Sequence, residues 1–414
     1  MTYTLAMLKR ISVNQLTVGM HLKEFCGSWM EHPFWRTAFV LRDPKDLASI
    51  LSSSIKEVWI DSAKGLDVAS GVIVLSETDS EQLVEAELQR MAATERQVAP
   101  VSMSDELARA TMICARSKQA VESMFNEARM GQAINTAGAQ RMVEEISDSI
   151  ARNPGALISL ARIKTADDYT YMHSVAVCAL MISLGKQLKV DPNLSRSLGM
   201  AGLLHDLGKA AMPMEVLNKP GKLTDAEFGI IKSHPQKGYE MLLGGDSVEA
   251  LTLDVCLHHH EKMDGSGYPK NLKAQEISLY AKMGAVCDVY DAITSNRPYK
   301  AGWDPAESLK KMAEWTHGHF DPTVFQAFVK SLGIYPTGSL VRLNSGRLGI
   351  VTEQTSQSLL APMVKVFYST KSSMRILPVM VDLSRPGCTE KIVAREDPQK
   401  WHFPDLNELW ADMS

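Results

Sequence analysis

The chain is 414 residues long, too long for one ordinary core and short for four, so two or three domains are expected. Its 45% hydrophobic and 22% charged residues exclude the disordered, fibrous and disulfide-rich classes. A net charge of -4 excludes coating of bulk nucleic acid or an anionic membrane, so an anionic ligand would be held by local cations. The six cysteines, Cys26, Cys114, Cys178, Cys256, Cys287 and Cys388, are scattered with no C-x-x-C pair, which suits reduced thiols in a reducing compartment. At the N-terminus the basic pair Lys9-Arg10 follows a short apolar run, the reverse of a secretory signal. No apolar run reaches the roughly 18 residues of a membrane span. Cytoplasmic localisation without membrane insertion is expected.

Residues 11–74 alternate short apolar runs with turn residues, as at Phe39-Val40-Leu41 and Val58-Trp59-Ile60, around a helix-like stretch at 46–55. This reads as a small α+β domain, with Trp29, Trp35 and Trp59 as core aromatics. Residues 76–95 are polar and rich in Glu and Gln, the pattern of a helical linker. From 104 to 129, Leu107, Thr111, Cys114, Val121, Phe125 and Ala128 recur at helical steps. Such a stripe suits a dimer seam or packing against the next domain, so a homodimer stays open. Residues 136–332 follow helical periodicity. After Tyr335-Pro336 the pattern becomes a β-hairpin, 339–343 and 348–352 about Asn344-Ser345-Gly346, followed by strand-like 363–368 and 376–383. The expected division is a small, regulatory N-terminal domain at 1–75, a helical linker at 76–135, a helical catalytic domain at 136–335 and a small β-rich appendage at 336–414.

Six of the eleven histidines fall between His173 and His260. The constellation is His173, then His205-Asp206 in Leu203-Leu204-His205-Asp206-Leu207-Gly208-Lys209, then His234, the run His258-His259-His260-Glu261, and Asp288. Imidazole nitrogens and carboxylate oxygens suit divalent first-row metals, and an adjacent His-Asp pair serves two ions if the carboxylate bridges them. This set exceeds the needs of one ion. Two ions roughly 3.5–4 Å apart would share Asp206 and a water, lower that water's pKa and hold it in line with a phosphorus atom. No cysteine has ligand spacing.

His205-Asp206 and the string His259-His260-Glu261-Lys262-Met263-Asp264-Gly265-Ser266-Gly267-Tyr268-Pro269 resemble the two signatures of the HD-GYP family. The segment from Cys287-Asp288 through Arg297-Pro298-Tyr299-Lys300 also resembles a family segment. The likeness covers about residues 167–332, and the N-terminal α+β region resembles, more weakly, a domain often found ahead of HD-GYP domains. The fold class implied is multidomain: a mainly α-helical HD-type domain with a small N-terminal α+β domain and a small C-terminal β appendage. The resemblance further implies a phosphodiesterase that uses divalent metal ions, iron or manganese, to hydrolyse cyclic di-GMP to linear pGpG and on to GMP. The ligands it implies are His173, His205, Asp206, His234, His259, His260 and Asp288.

Further roles come from spacing and chemistry together. On a helix over 203–209, Lys209 shares a face with His205 and can meet a phosphate. Arg297 and Lys300 follow Asp288 by nine and twelve residues and are expected as cations at the pocket rim. Gly265, Gly267 and Pro269 make a tight turn whose amides can approach an anion, with Tyr268 offering its ring or hydroxyl to the substrate. Asp206 and Lys209 are the expected catalytic residues, and Asp291 a residue that orients a ligand. Some family members hold a third metal through a glutamate before the first histidine. Here Tyr169 stands four residues before His173 and Asp168 faces away, so two ions are expected. The competing readings are a nucleotide monophosphate hydrolase and a non-hydrolytic adaptor that binds cyclic di-GMP or signalling proteins.

Overall fold

The computed structural model describes residues 8–26, 38–53, 55–69, 75–76, 101–132, 136–164, 169–219, 221–244, 248–295, 302–316, 318–355 and 357–411. Trp29, Trp35, Asp168, Arg297, Lys300 and the polar stretch 77–100 lie outside them. The chain divides into two compact units, residues 1–88 with 313–317, and 89–312 with 318–414.

In the first unit, strands β1 (Leu8–Ser12), β2 (His21–Cys26), β3 (Phe39–Val40), β4 (Glu57–Asp61) and β5 (Leu75–Ser76) form a sheet in the order β3-β2-β4-β1-β5. The four pairings are antiparallel. Helix α1 (Pro44–Leu51) starts where the Asp43 carboxylate accepts the Lys45 amide at 2.8 Å and Pro44 fixes the first turn. Its Ile50 is buried with Ile11, Leu22, Phe25, Val58 and Ile60. Trp59 is buried, as expected of a core aromatic.

The second unit is mostly helical. Its first helices are α2 (Met103–Arg129), α3 (Thr136–Arg152), α4 (Pro154–Arg162) and α5 (Tyr169–Gln187). They are followed by α6 (Ser195–Leu204), α7 (Met214–Leu217), α8 (Asp225–Ile231), α9 (His234–Leu243) and α10 (Ala250–His258), then α11 (Leu279–Thr294), α12 (Pro305–Trp315, whose residues from 313 on are assigned to the first unit) and α13 (Pro322–Leu332). Helix α5 is apolar on every side and buried from Met172 to Gly185, the pattern of a central helix. It packs against α2, α4, α6, α11 and α13. No helix among the described residues is long and apolar enough to cross a membrane.

Helix α2 packs on α3, α4 and α5, so the stripe read at 104–129 faces the other helices of this unit. Of that stripe Cys114, Val121, Phe125 and Ala128 are buried and Thr111 is exposed, and Ala110, Ile113, Ser117 and Glu106 join the inside. Glu106 is buried because Arg152 Nε donates to it at 2.7 Å, Arg152 Nη2 at 2.8 Å and the Ser149 hydroxyl at 2.9 Å. Burial pushes its carboxyl pKa up, but these bonds outweigh it and hold the group below 4.5. The stabilisation is therefore complete above the unfolded value and is lost as pH falls through the folded one. Replacing Glu106 by Gln is expected to cost about 2 kcal/mol at pH 7, since Arg152 is partly exposed. Urea melts of the two proteins should begin to converge only once the pH falls below 4.5, the unfolded value.

The C-terminal strands β6 (Leu340–Leu343), β7 (Arg347–Glu353), β8 (Met363–Ser369), β9 (Met374–Asp382) and β10 (Ile392–Arg395) form an antiparallel sheet ordered β10-β6-β7-β8-β9. The expected hairpin is present, with Gly346 at φ 82° in the turn. Strand β10 was not legible in the sequence. Helices α14 (Pro398–Trp401) and α15 (Leu406–Ala411) end the described chain. Glu353 docks this sheet on the helices, accepting from the Met103 amide at 2.8 Å and Asn153 Nδ2 at 3.0 Å.

Candidate metal centre

Two close backbone approaches bring the histidines together. A Cβ on Gly202 of α6 would lie 2.8 Å from Cys178 backbone atoms of α5, so the glycine lets these helices meet and sets His173 beside His205. Helix α6 then ends at Leu204, with His205 as its cap, and residues Leu207–Ala211 tighten into a 3-10 turn. A Cβ on Gly208 in that turn would lie 1.9 Å from the His234 carbonyl oxygen and 2.5 Å from the Gly238 amide. Its absence lets the start of α9 carry His234 against Asp206. His259 and His260 follow the end of α10, and Asp288 comes from the buried face of α11.

The Nε2 atoms of His173 and His205 are 3.2 Å apart, and those of His234 and His259 are 3.4 Å apart. These match ligand-to-ligand edges around an ion bound at about 2.1 Å. Asp206 lies between the pairs. Its Oδ2 is 3.3 Å from His173 Nε2 and 3.4 Å from His205 Nε2, and its Oδ1 is 3.1 Å from His234 Nε2 and 3.8 Å from His259 Nε2. Asp288 closes the ring, with Oδ1 3.0 Å from His173 Nε2 and Oδ2 3.7 Å from His260 Nδ1. His258 is turned away and its Nδ1 bonds Asp254 at 2.9 Å.

The ring orientations are fixed from behind. His205 Nδ1 donates to Gly202 O at 2.8 Å, His234 Nδ1 to Ile231 O at 2.7 Å, and His259 Nδ1 to Val255 O and Cys256 O at 3.0 Å. A carbonyl can only accept, so each Nδ1 carries the proton and each Nε2 presents a lone pair to the centre. His173 Nδ1 is bonded to Asp291 Oδ2 at 2.6 Å. Asp291 in turn pairs with Lys164, whose side chain is fully buried. Asp291 is thus the orienting residue expected, and Lys164 is one that sequence reasoning missed, with no local pattern to flag it.

Electrostatics favour a cation. Burial raises the carboxyl pKa values of Asp206 and Asp288, yet Lys209 with His205 and His173 holds Asp206, and His173, His205 and His260 hold Asp288, well below 3.8. Burial lowers His173 and His205, but the carboxylates outweigh it, raising His205 and bringing His173 to about 10. Burial, reinforced by neighbouring histidines, lowers His259 to about 3 and also lowers His260. Ionised carboxylates draw a positive charge to His173 and His205 while His259 and His260 are held neutral, and imidazoles and carboxylates meeting on one point are the residue types of a metal donor set. The buried Asp206 Oδ1 has no hydrogen-bond partner, because the nearby His234 Nε2 is not aimed to donate. An orphaned carboxylate oxygen among imidazole nitrogens fits a bound ion. Two donor groups share Asp206: His173, His205 and Asp206, and Asp206, His234, His259 and His260.

The expected helix through Lys209 is corrected by the 3-10 turn. With three residues per turn, Lys209 meets Asp206 rather than lining up beneath His205, and the two form an ion pair. Tyr169 stacks on His173 at 5.8 Å with 6° between rings. In the 261–272 loop, Tyr268 stacks on His260 at 4.7 Å, and a Cβ on Gly267 would meet the Lys262 amide at 2.4 Å. The expected amide cradle does not form at three of its positions. The amides of Gly265, Ser266 and Tyr268 are bonded to Lys262 O, Asp264 Oδ1 and His260 O. Glu261, unassigned from the sequence although inside the motif, holds the loop by accepting from the amides of Lys270 at 2.6 Å and Leu272 at 2.9 Å.

Substituting Asp291 by Asn is expected to weaken metal binding by roughly 10–100-fold, since it loosens His173 and leaves Lys164 without its counter-charge. Competition with a colorimetric chelator measures this.

A family model described as an HD domain matches residues 144–324, and one for a domain of unknown function (DUF3391) matches residues 8–139. The cyclic di-GMP phosphodiesterase PA4108 of Pseudomonas aeruginosa is 54% identical over 99% of this chain and 97% of its own length. The cyclic di-GMP phosphodiesterase response regulator RpfG of Xanthomonas campestris is 37% identical over 46% of this chain and 51% of its own. The 3'3'-cGAMP-specific phosphodiesterase 1 of Vibrio cholerae is 32% identical over 42% of this chain and 41% of its own. With these matches and the Asp206-centred donor set, the chain belongs to the HD-GYP branch of the HD-domain family.

Proposed function

We propose that this chain is a metal-dependent phosphodiesterase that hydrolyses cyclic di-GMP to linear pGpG and on to GMP. The observation that carries the reading is the convergence of four fixed imidazole Nε2 atoms on the two oxygens of Asp206. The 54% identical relative that bears this activity in its name supports the choice of substrate. His173, His205, Asp206, His234, His259, His260 and Asp288 would hold two divalent ions, iron or manganese. Tyr169, four residues before His173 and stacked on it, offers no carboxylate to a third ion.

When bound, the ions supply Lewis acidity toward one phosphodiester and a nucleophilic hydroxide at neutral pH. The chain's own residues do the rest. Asp206 sets the spacing of the two donor groups, and Asp291 with Lys164 fixes the His173 ring. Lys209, beside Asp206, would offer its ammonium to the phosphoryl oxygens as hydroxide bonds to phosphorus, the P–O3' bond breaks and the 3'-oxygen takes a proton from water. Tyr268, stacked on His260, offers its hydroxyl or ring edge to the substrate. Arg297 and Lys300 are kept as rim cations for the phosphates.

Chromatography of cyclic di-GMP incubated with protein purified without oxygen and loaded with Fe(II) or Mn(II) tests this. Appearance of pGpG, then GMP, is expected. Unchanged substrate with two ions bound per chain would refute it.

A further inference from the structure

A second cation stands outside the metal centre in an arrangement that the chemistry above does not use. His260 is stacked against Tyr268, and Lys232 Nζ lies over the Tyr268 ring, 5.3 Å from its centroid, and 4.7 Å from that of Phe228. The stack runs from a metal-centre imidazole through the Tyr268 ring to an ammonium.

The position of Lys232 is fixed by short-range structure. It caps α8, its amide bonded to Phe228 O at 2.9 Å, and His234 opens α9 two residues later. Helix α8 is itself held by a capping box between Thr224 and Glu227, and Glu227 pairs with Lys219 at 2.7 Å. Two lysines near it in the chain are paired, Lys219 with Glu227 and Lys237 with Glu240. Among the described residues Lys232 forms no ion pair and is exposed. Two aromatic faces restrain its ammonium without consuming its three N–H donors, leaving them for an anion.

Cyclic dinucleotides carry two phosphodiesters in one ring, so holding one at the metal centre directs the other outward. The geometry points to Lys232 as the residue that binds this second phosphate. Lys209 serves the inner phosphate and Lys232 the outer, which makes Lys232 a determinant of preference for two-phosphate cyclic substrates over single phosphodiesters. The assignment rests on the phosphodiesterase reading.

The test is steady-state kinetics of the full chain loaded with Mn(II), on cyclic di-GMP and on bis(p-nitrophenyl) phosphate, which has one phosphodiester. The readout is the ratio of kcat/KM for the two substrates. Lys232→Ala is expected to lower the ratio tenfold or more, mainly through KM for cyclic di-GMP, and Lys232→Arg to return it to within threefold of wild type. A Lys232→Ala ratio within twofold of wild type overturns the proposal. So does a Lys232→Arg variant as poor as Lys232→Ala, which would assign the loss to packing on Tyr268. If the wild-type protein cleaves the single diester but not cyclic di-GMP, the substrate reading itself is wrong and Lys232 loses this role with it.

Discussion

Replacing Asp206 by alanine is expected to lower turnover of cyclic di-GMP on the order of a thousandfold or more, with loss of bound metal. Asp206 is the residue that the two donor groups have in common. Its Oδ2 faces His173 and His205, and its Oδ1 faces His234 and His259. Removing it leaves two histidine pairs with no shared anion and Lys209 with no partner. Metal analysis by mass spectrometry, run beside the kinetics, separates this from a defect in substrate binding. A variant that keeps two ions and wild-type kcat would remove Asp206 from the centre.

Gly208→Ala is expected to be nearly as damaging, although the glycine contributes no ligand atom. The added methyl would sit 1.9 Å from the His234 carbonyl and 2.5 Å from the Gly238 amide, both backbone atoms. Relief requires α9 to back away, and His234 moves with it. A displacement of about 1 Å at a reacting centre costs on the order of a hundredfold in rate. Overpacking adds about 1–3 kcal/mol of destabilisation. Activity and melting temperature should therefore fall together, with metal content reduced. Wild-type activity in this variant would show that the 3-10 turn and α9 do not need their close approach.

The metal-centre residues were legible because they combine rare residue types with tight local spacing, as in His205-Asp206 and the string from His259 to Pro269. Their side chains meet where that pattern placed them. What spacing could not show was support from distant chain. Lys164 and Asp291 are 127 residues apart, and nothing in either neighbourhood marks them as a pair. On helix α2 the stripe of Cys114, Val121, Phe125 and Ala128 was legible, but Glu106 was not: a hydrophobic period treats it as surface, and Arg152, with a hydrogen bond from Ser149, holds it inside. The helix expected through Lys209 was not what formed: four residues are about one turn in an α-helix and more than one turn in a 3-10 turn, so Lys209 pairs with Asp206 instead of lining up with His205. Strand β10 spans only four residues, too few for an alternation to stand out.

The bonds from His205, His234 and His259 to carbonyls of their own chain segments also bear on which metal the protein carries. With Nδ1 fixed to the backbone, these rings cannot swing to suit one ion's radius or coordination geometry. Such a rigid nitrogen-rich cage follows the general affinity order of divalent metals, in which zinc and copper outrank iron and manganese. Selection among them then falls to cellular supply, and the ions found in a preparation will record the medium and the oxygen exposure of the cells it came from.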